Sequence, residues 1–457
     1  MLKKLLRTLF IKDRNFYIMV FQIAVPIAVQ SLITTGVNMM DNLMISSLGE
    51  TELSAVSLAN QFVSLFQGSC MGIGMGASVL VSRYYGMREP NAVRKTVAIM
   101  MRLCIGIAGL FCLLTFLFPA QIMAVYTPDE SIIRQGIIYL NWSILTYILT
   151  GLSLTATLVL RSVGKVQIPL FTSMGAFVIN ILFNYMFIFG KFGMPQMRVA
   201  GAAIGTLVAR GFEFTIICGY LFLFDSKIGF RISHIWMKTG ELWREYIRIS
   251  IPVLVSDMIF MFGNSAVAMV IGRLGKSFVA ANAVTVMTQQ LSSVLTQGMA
   301  QAASIVTGYA LGEGKKERAQ RQGYALLGIG ILFGIITAIV IFLISRPMIR
   351  AYQVTDETAA IAQQLMFAIS LIVLFQAINN LMTKGTLRGG GDTKMLMLTD
   401  NIFLWMFSIP LGIIAGFVLH LPAFWIYIFL KIDQLIKAVW CIFRLRSGKW
   451  IKAIHTG

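Results

Sequence analysis

The sequence predicts an all-α integral membrane protein, with twelve transmembrane helices in two six-helix bundles related by an internal repeat. Three observations predict it. Of 457 residues, 57% are hydrophobic and only 12% charged, with a mean hydropathy of +0.78. A soluble chain carries about 25% charged residues. Apolar runs long enough to cross a hydrocarbon core of about 30 Å fill most of the chain. The third observation is repetition. The stretch from Pro26 to Gly86 recurs from Pro252 to Gly312 at a shift of 226 without a gap. Leu48-Gly49 meets Leu274-Gly275, Gly72 meets Gly298, and Ala77-Ser78 meets Ala303-Ser304. Leu160-Arg161 and Gly164 are echoed by Leu387-Arg388 and Gly391 at a shift of 227.

The apolar runs place spans at 16–46, 53–82, 94–119, 132–160, 166–190 and 200–224 in the first half. The second half has 246–271, 278–310, 320–345, 358–384, 395–417 and 422–443. Each must be a helix, because lipid offers no partner to an open backbone. A barrel needs short alternating strands, which these long runs are not. The expected domains are an N-terminal lobe (1–224), a connector (225–245) and a C-terminal lobe (246–457). The connector holds Lys227, Arg231, His234 and Lys238 and reads as a cytoplasmic amphipathic segment, with Trp236 and Trp243 at headgroup level. No loop is long enough to hold a soluble core.

The net charge is +19, which raises the possibility of nucleic acid. Its placement excludes that reading. With the N-terminus inside, the cytoplasmic segments collect most of the basic residues. They include Lys3, Lys4, Arg7, Lys12 and Arg14, the run from Lys227 to Arg248, and Arg444, Arg446, Lys449 and Lys452. The opposite side holds Arg134, Lys191, Arg198, Arg273, Lys276, Arg346 and Arg350. This bias predicts a multi-pass inner (plasma) membrane protein with both termini cytoplasmic and the first span retained as a signal-anchor. Cys70, Cys104, Cys112, Cys218 and Cys441 lie in apolar spans without metal spacing, so neither disulfide nor metal is expected. His234, His420 and His455 are scattered, which disfavours a histidine centre. Gly312-Glu313-Gly314-Lys315 lacks phosphate-loop spacing, so ATP is not expected as the energy source within this chain. Gly68, Gly72 and Gly76 recur on one helix face and suit close helix packing. Gly389-Gly390-Gly391 reads as a turn.

An ionisable group at membrane depth costs at least about 2.5–3.5 kcal/mol, so each needs a partner, a wet cavity or a function. Asp41 is the leading candidate. It lies on one helix face with Gln30, Thr34 and Asn38, downstream of Pro26, where a missing hydrogen bond permits bending. Asn180 and Asn184 are one turn apart in the fifth span, and Thr206 follows in the sixth. Carboxylate, amide and hydroxyl oxygens together suit a proton network or a hard cation such as sodium. The competing reading is hydrogen bonding that merely glues helices. Glu213, three residues after Arg210, points to a salt bridge, as do Asp400 and Asp433 beside Lys394, Lys431 and Lys437. Asp257 heads a face with Asn264 and is open between lining and structure. Further polar stripes run through Asn60, Ser64 and Gln67, through Asn282, Thr285, Gln289 and Thr296, and through Gln376, Asn380 and Thr383. They read as the lining of one polar-tinged cleft. The 27 Met and 32 Phe supply adaptable apolar walls and aromatic faces that attract cations.

The ordered set of motifs resembles the multidrug and toxic compound extrusion (MATE) family, within the wider MOP group of flippases and exporters. It runs from Ile23-Ala24-Val25-Pro26-Ile27 to Met40-Asp41-Asn42-Leu43-Met44, then Ser82-Arg83-Tyr84-Tyr85-Gly86 and Leu160-Arg161-Ser162-Val163-Gly164-Lys165. Asn180 and Asn184, Leu387 to Lys394 and Arg444 to Trp450 complete it. The resemblance implies two six-helix bundles in a V around a central cleft, alternating between inward-open and outward-open. It implies export of bulky, often cationic organic compounds in exchange for protons or sodium ions. It assigns ion coupling to Asp41, Asn180, Asn184 and Thr206. Some relatives carry a second aspartate where this chain has Asn184. Some carry a glutamate in span seven for a C-terminal site, whereas here Asp257 is the nearest acid, so the expected site is N-terminal. No cofactor beyond the transported ion is expected. The expected partners are small organic substrates, H⁺ or Na⁺, and membrane lipid, with the chain a monomer. Two rival readings remain. A lipid-linked oligosaccharide flippase needs a strongly cationic cavity, and span-embedded Arg and Lys are scarce. An intramembrane enzyme needs a paired catalytic set, and none has suitable spacing.

Overall fold

The computed structural model describes residues 11, 13–351 and 355–453, without the side chains of Met287, Leu291 and Ser292. Lys3, Lys4, Arg7, Lys12 and His455, invoked above, lie outside the described residues. No strand occurs among the described residues. Every predicted span coincides with a helix. The first half contains α1 (Arg14–Ser46), α2 (Glu50–Gly86), α3 (Pro90–Leu117), α4 (Glu130–Ser162), α5 (Gln167–Phe189) and α6 (Val199–Phe224). The second contains α7 (Leu242–Arg273), α8 (Lys276–Gly312), α9 (Lys316–Ala351), α10 (Asp356–Gly389) and α11 (Thr393–Val418). The last, α12, consists of Ala423–Leu430 and Ile432–Arg446, joined at Lys431. Among the described residues, ten helices are long and apolar enough to cross a membrane. The other two are α8, diluted by Gln289, Gln290, Gln297 and Gln301, and α12, split at Lys431.

Local signals set the helix ends, and the two halves repeat them. Gly49 (φ 136°) precedes α2 and Gly275 (φ 114°) precedes α8, a backbone region that only glycine adopts readily. Asp129 caps α4 by accepting from the Ser131 amide at 2.8 Å, and Thr355 caps α10 by accepting from the Thr358 amide at 3.4 Å. Pro90 opens α3, where its missing N–H costs nothing.

The chain forms two compact units. One comprises the described residues of Met1–Ala28 together with Val255–Ile454, and the other comprises Val29–Leu254. The units therefore do not divide at residues 225–245, where the lobes were expected to part. They divide within α1 and α7, at equivalent places in the repeat. In the Val29–Leu254 unit, a Cβ added to Gly72 would lie 3.0 Å from Leu254 Cα. In the other unit, a Cβ added to Gly298 would lie 3.0 Å from Ala28 Cβ. Gly72 and Gly298, and likewise Ala28 and Leu254, are related by the same shift of 226, so this is one helix contact made twice. Glycine permits the close approach.

Each unit has its own apolar core. In the Val29–Leu254 unit, Phe66, Cys70, Cys104 and Tyr147 pack between α2, α3 and α4, with Phe66 and Tyr147 edge-to-face at 5.1 Å. In the other, Val267, Ile341, Leu365, Ile369, Tyr427 and Leu430 pack together. Large apolar side chains such as Leu113, Phe116, Phe342 and Leu343 remain exposed, as expected of surfaces that face lipid. The five cysteines are free. The connector is tied to α3: Arg94 Nε donates to the Ile228 carbonyl at 2.9 Å, and Arg102 donates to the Ile235 and Met237 carbonyls, each at 2.5 Å. Trp236 and Trp243 are both exposed.

Candidate functional site

Asp41 lies on α1 within the Val29–Leu254 unit, and α5 and α6 furnish its polar neighbours. Asn184 Nδ2 donates to Asp41 Oδ1 at 2.6 Å and to Asn180 Oδ1 at 3.3 Å. Both asparagines are buried. Their one-turn spacing on α5 lets a single amide bridge the carboxylate and the second amide. Asn184 Oδ1 is buried and has no hydrogen-bond partner among the described residues. Gly205 on α6 makes room for it, since a Cβ there would sit 2.0 Å from that oxygen.

Two cavities meet at Asp41. The larger, of about 270 Å³, is lined by Asn38, Asp41, Asn60, Gln67, Tyr139, Tyr147, Thr206 and Arg210, among others. The smaller, of about 40 Å³, is lined by Thr34, Asp41, Ser173, Asn180, Thr206, Arg210 and Glu213. Asp41, Thr206 and Arg210 face both. Arg210 pairs with Glu213 at 2.6 Å, the expected intrahelical bridge. Tyr139 on α4 donates to Asn60 Oδ1 at 3.1 Å and closes one wall. Tyr139, Asn42 and Arg210 were not on the expected list of site residues. The signal for Arg210 was its place one turn after Thr206.

The polar stripe of α1 is divided in its roles. Thr34, Asn38 and Asp41 line the cavities, whereas Gln30 is buried beneath them. Gln30 Nε2 donates to Ser173 Oγ at 2.7 Å, and Gln30 Oε1 accepts from Arg161 at 2.5 Å. Pro26 lies inside α1, which continues through it as helix.

The expected residues of the second half lie in the other unit and form separate groups. Asp257 faces Arg388 at 3.6 Å. Asn264 Nδ2 donates to the Phe260 carbonyl of its own helix. Gln289 Nε2 donates to Gln376 Oε1 at 2.6 Å, and Asn380 Nδ2 donates to Thr296 Oγ1 at 3.3 Å. Asn282 is partly buried. Asp400 and Asp433 both pair with Lys437, the structural pairing read from the sequence. Among the described residues, no cluster of His, Cys, Asp and Glu is suited to a metal.

A helical membrane protein made of two repeats, with a carboxylate, amides and a hydroxyl gathered at depth around a cavity, has the architecture of a membrane transporter. The chain belongs to the MATE family, whose model, described as MatE, matches residues 26–186 and 252–416. It is similar to a protein named probable multidrug resistance protein NorM from Thermotoga maritima, 26% identical over 94% of this chain and 92% of the relative. The multidrug resistance protein MdtK of Yersinia pseudotuberculosis is 23% identical over 88% and 90%. Among solved structures, a MOP superfamily transporter from Pyrococcus furiosus matches with a TM-score of 0.83, at 18% identity over 94% of this chain and 96% of that one. A MATE transporter from Vibrio cholerae matches with a TM-score of 0.85, at 16% identity over 95% and 97%. These likenesses show that the chain shares the fold of those transporters.

Proposed function

We propose that this protein is a secondary antiporter that exports bulky, often cationic organic compounds in exchange for protons or sodium ions. Asp41 is the carboxylate that takes the ion. The observation that carries the reading is the Asn184 to Asp41 hydrogen bond of 2.6 Å at the junction of two cavities. The relatives named for multidrug resistance support the substrate class.

The chemistry follows from donor and acceptor counts. An ionised Asp41 only accepts, and Asn184 meets it with an N–H. A protonated Asp41 also donates, and Asn184 holds an unpartnered Oδ1 that can receive that proton if the amide turns over. Asn180 Oδ1, now shared with Asn184, is the other acceptor in reach of the group. Sodium would use the same oxygens, with Thr206 on the cavity wall. Either ion removes the charge that an organic cation would pair with, so ion arrival and drug departure are linked. The change also alters what α1 is bonded to, and Pro26 lets that helix bend.

The driving force is sufficient. One charge crossing 100 mV is worth about 2.3 kcal/mol, and a tenfold ion gradient adds about 1.4 kcal/mol. Together they sustain roughly a few hundredfold gradient of an uncharged substrate per ion, whereas for a monovalent cation exchanged one for one the charges cancel and the ion gradient alone sustains about tenfold. The lipid-linked oligosaccharide flippase gains no support here, because Arg210, the cation on both cavities, is already paired with Glu213.

The test is dye uptake into everted membrane vesicles, with pH and sodium gradients imposed separately. At least one gradient is expected to drive accumulation of an organic cation. Failure of both across a panel of such cations contradicts antiport. Both termini are proposed to be cytoplasmic, which cysteine accessibility at the two ends would check.

A further inference from the structure

We propose that the Val255–Ile454 part of the molecule contains a second cation site, permanently filled by the chain's own Lys437. The inference rests on the reading of Asp41 as the ion-exchanging carboxylate. It assigns the second half a fixed cation where the first half has an exchangeable one.

The repeat points to the position. At the shift of 227, Thr172 meets Thr399, Pro195 meets Pro422, and Arg210 meets Lys437. The same shift sets Thr206 against Asp433 and Ser173 against Asp400. Thr206, Ser173 and Arg210 all line the small cavity at Asp41. The second half has thus kept the cation on its last helix and replaced two hydroxyls around it with carboxylates.

The geometry is that of an occupied cation site. Lys437 Nζ lies 3.1 Å from Asp433 Oδ2 and 3.4 Å from Asp400 Oδ1. The ring of Phe260 lies 5.1 Å away and offers its face to the ammonium. Lys437 is 2% exposed and Asp433 1%. Asp433 is braced by Ser408 Oγ at 2.9 Å and by Gln434 Nε2 at 2.7 Å. Gln434 is held in turn by Asn379, whose buried Oδ1 has no hydrogen-bond partner among the described residues. Two carboxylates, one of them braced by a hydroxyl and an amide, make a set that suits a hard cation. Lys431 on α12 and Lys384 on α10 also act on this cluster, and Lys384 in turn feels Arg388 on its own helix and Asp257 on α7. Asp257 is itself paired with Arg388 at 3.6 Å. Removing Lys437 takes one positive charge from the cluster, and one bound Na⁺ restores it.

A tethered ammonium cannot cross the membrane. Asp400 and Asp433 therefore exchange no ion with solution while Lys437 is in place, in contrast to Asp41. The same triad could be mere structural glue, and the two readings part when the lysine is removed. Glue predicts only lost stability, whereas a filled site predicts a new affinity for a free cation.

The experiment is a melting series on purified protein in NaCl against choline chloride at equal ionic strength. All variants carry Asp41→Asn, so that sodium at the first site makes no contribution. Asp41→Asn alone is expected to show no sodium-specific shift. Asp41→Asn with Lys437→Met is expected to gain a saturable rise of about 5 °C in NaCl. Adding Asp400→Asn is expected to abolish it. No sodium-specific rise on loss of Lys437, or a rise that survives Asp400→Asn, overturns the proposal. If the Lys437→Met protein does not fold, Lys437→Gln in the same Asp41→Asn background keeps both carboxylates and is read by ²²Na⁺ binding. Binding upholds the filled site and its absence overturns it. The Asp41 reading fails separately, if Asp41→Asn with Lys437 intact still couples an ion gradient to efflux.

Discussion

The two halves of this chain bury their charges in different ways. Around α6, Arg210 has one carboxylate of its own, Glu213, and sits on two cavities with Asp41, which is hydrogen-bonded to an amide and has no ion pair within 4 Å among the described residues. Around α12, Lys437 is held by both Asp400 and Asp433. One arrangement leaves a carboxylate whose charge an ion from solution can neutralise. The other closes every acid on a cation. The lesson is that a repeated scaffold does not repeat its chemistry. Burial costs the same in both halves, and what differs is whether the compensating charge is tethered or must come from solution.

The contrast can be broken most severely at Asp41. Asp41→Asn keeps the hydrogen-bonding shape and removes the charge, so it should eliminate the concentrative part of efflux, a gradient of about tenfold for a monovalent cation under a tenfold ion gradient. Substrate accumulation in energised vesicles at matched expression measures this. Next in size is Arg210→Met, which strands Glu213 in a buried site and should destabilise by about 3–5 kcal/mol. Adding Glu213→Gln should recover most of that loss, as read by thermal melting. Smaller still is overpacking at the repeated helix contact. Gly72→Leu and Gly298→Leu should each cost about 1–3 kcal/mol. Equal losses would support the equivalence of the two contacts, and a loss confined to one half would break it. The smallest effect concerns the caps. Asp129 is held below the usual carboxylate range, first by the Ser131 hydroxyl and then by the Ser131 and Ile132 amides. A depressed carboxylate stabilises the fold above its unfolded value and loses that contribution as pH falls through its folded value. The Asp129 cap should therefore fade in acid, below the ordinary aspartate range, while the Thr355 cap should not. Thr355→Ala should cost about 1 kcal/mol at any pH, and melting of both cap variants between neutral and acid pH separates the two.

Much of the fold was legible in the sequence, because lipid imposes a length and an apolar content on each helix and the repeat counts them twice. Helix ends were less legible. α2 runs to Gly86 and α8 to Gly312, past the apolar stretch, because packed helices continue beyond the hydrocarbon. The division within α1 and α7 was not legible, since the close approach at Gly72 and Gly298 joins residues far apart in the chain. At the site, hydrogen bonds bring Asp41, Asn184 and Asn180 together. Gln30 was read as cavity lining because it shares the α1 stripe. Steps of about 100° per residue spread that stripe over about 80°, enough to put Asn38 on the larger cavity, Thr34 on the smaller and Gln30 against Arg161. Spacing along one helix says which residues share a side and not what stands opposite. Lys437 shows the same limit. Its pairing was readable from neighbouring charges, whereas its correspondence to Arg210 emerged only once the cavity around Arg210 was known.

The most direct measurement is ion movement itself, followed with a pH dye or ²²Na⁺ in sealed proteoliposomes while an organic cation is released down its own gradient. The account predicts that substrate exit through the wild-type protein drives a counterflow of one ion per molecule, and that Asp41→Asn abolishes this counterflow. Undiminished counterflow through the Asp41→Asn protein would contradict it.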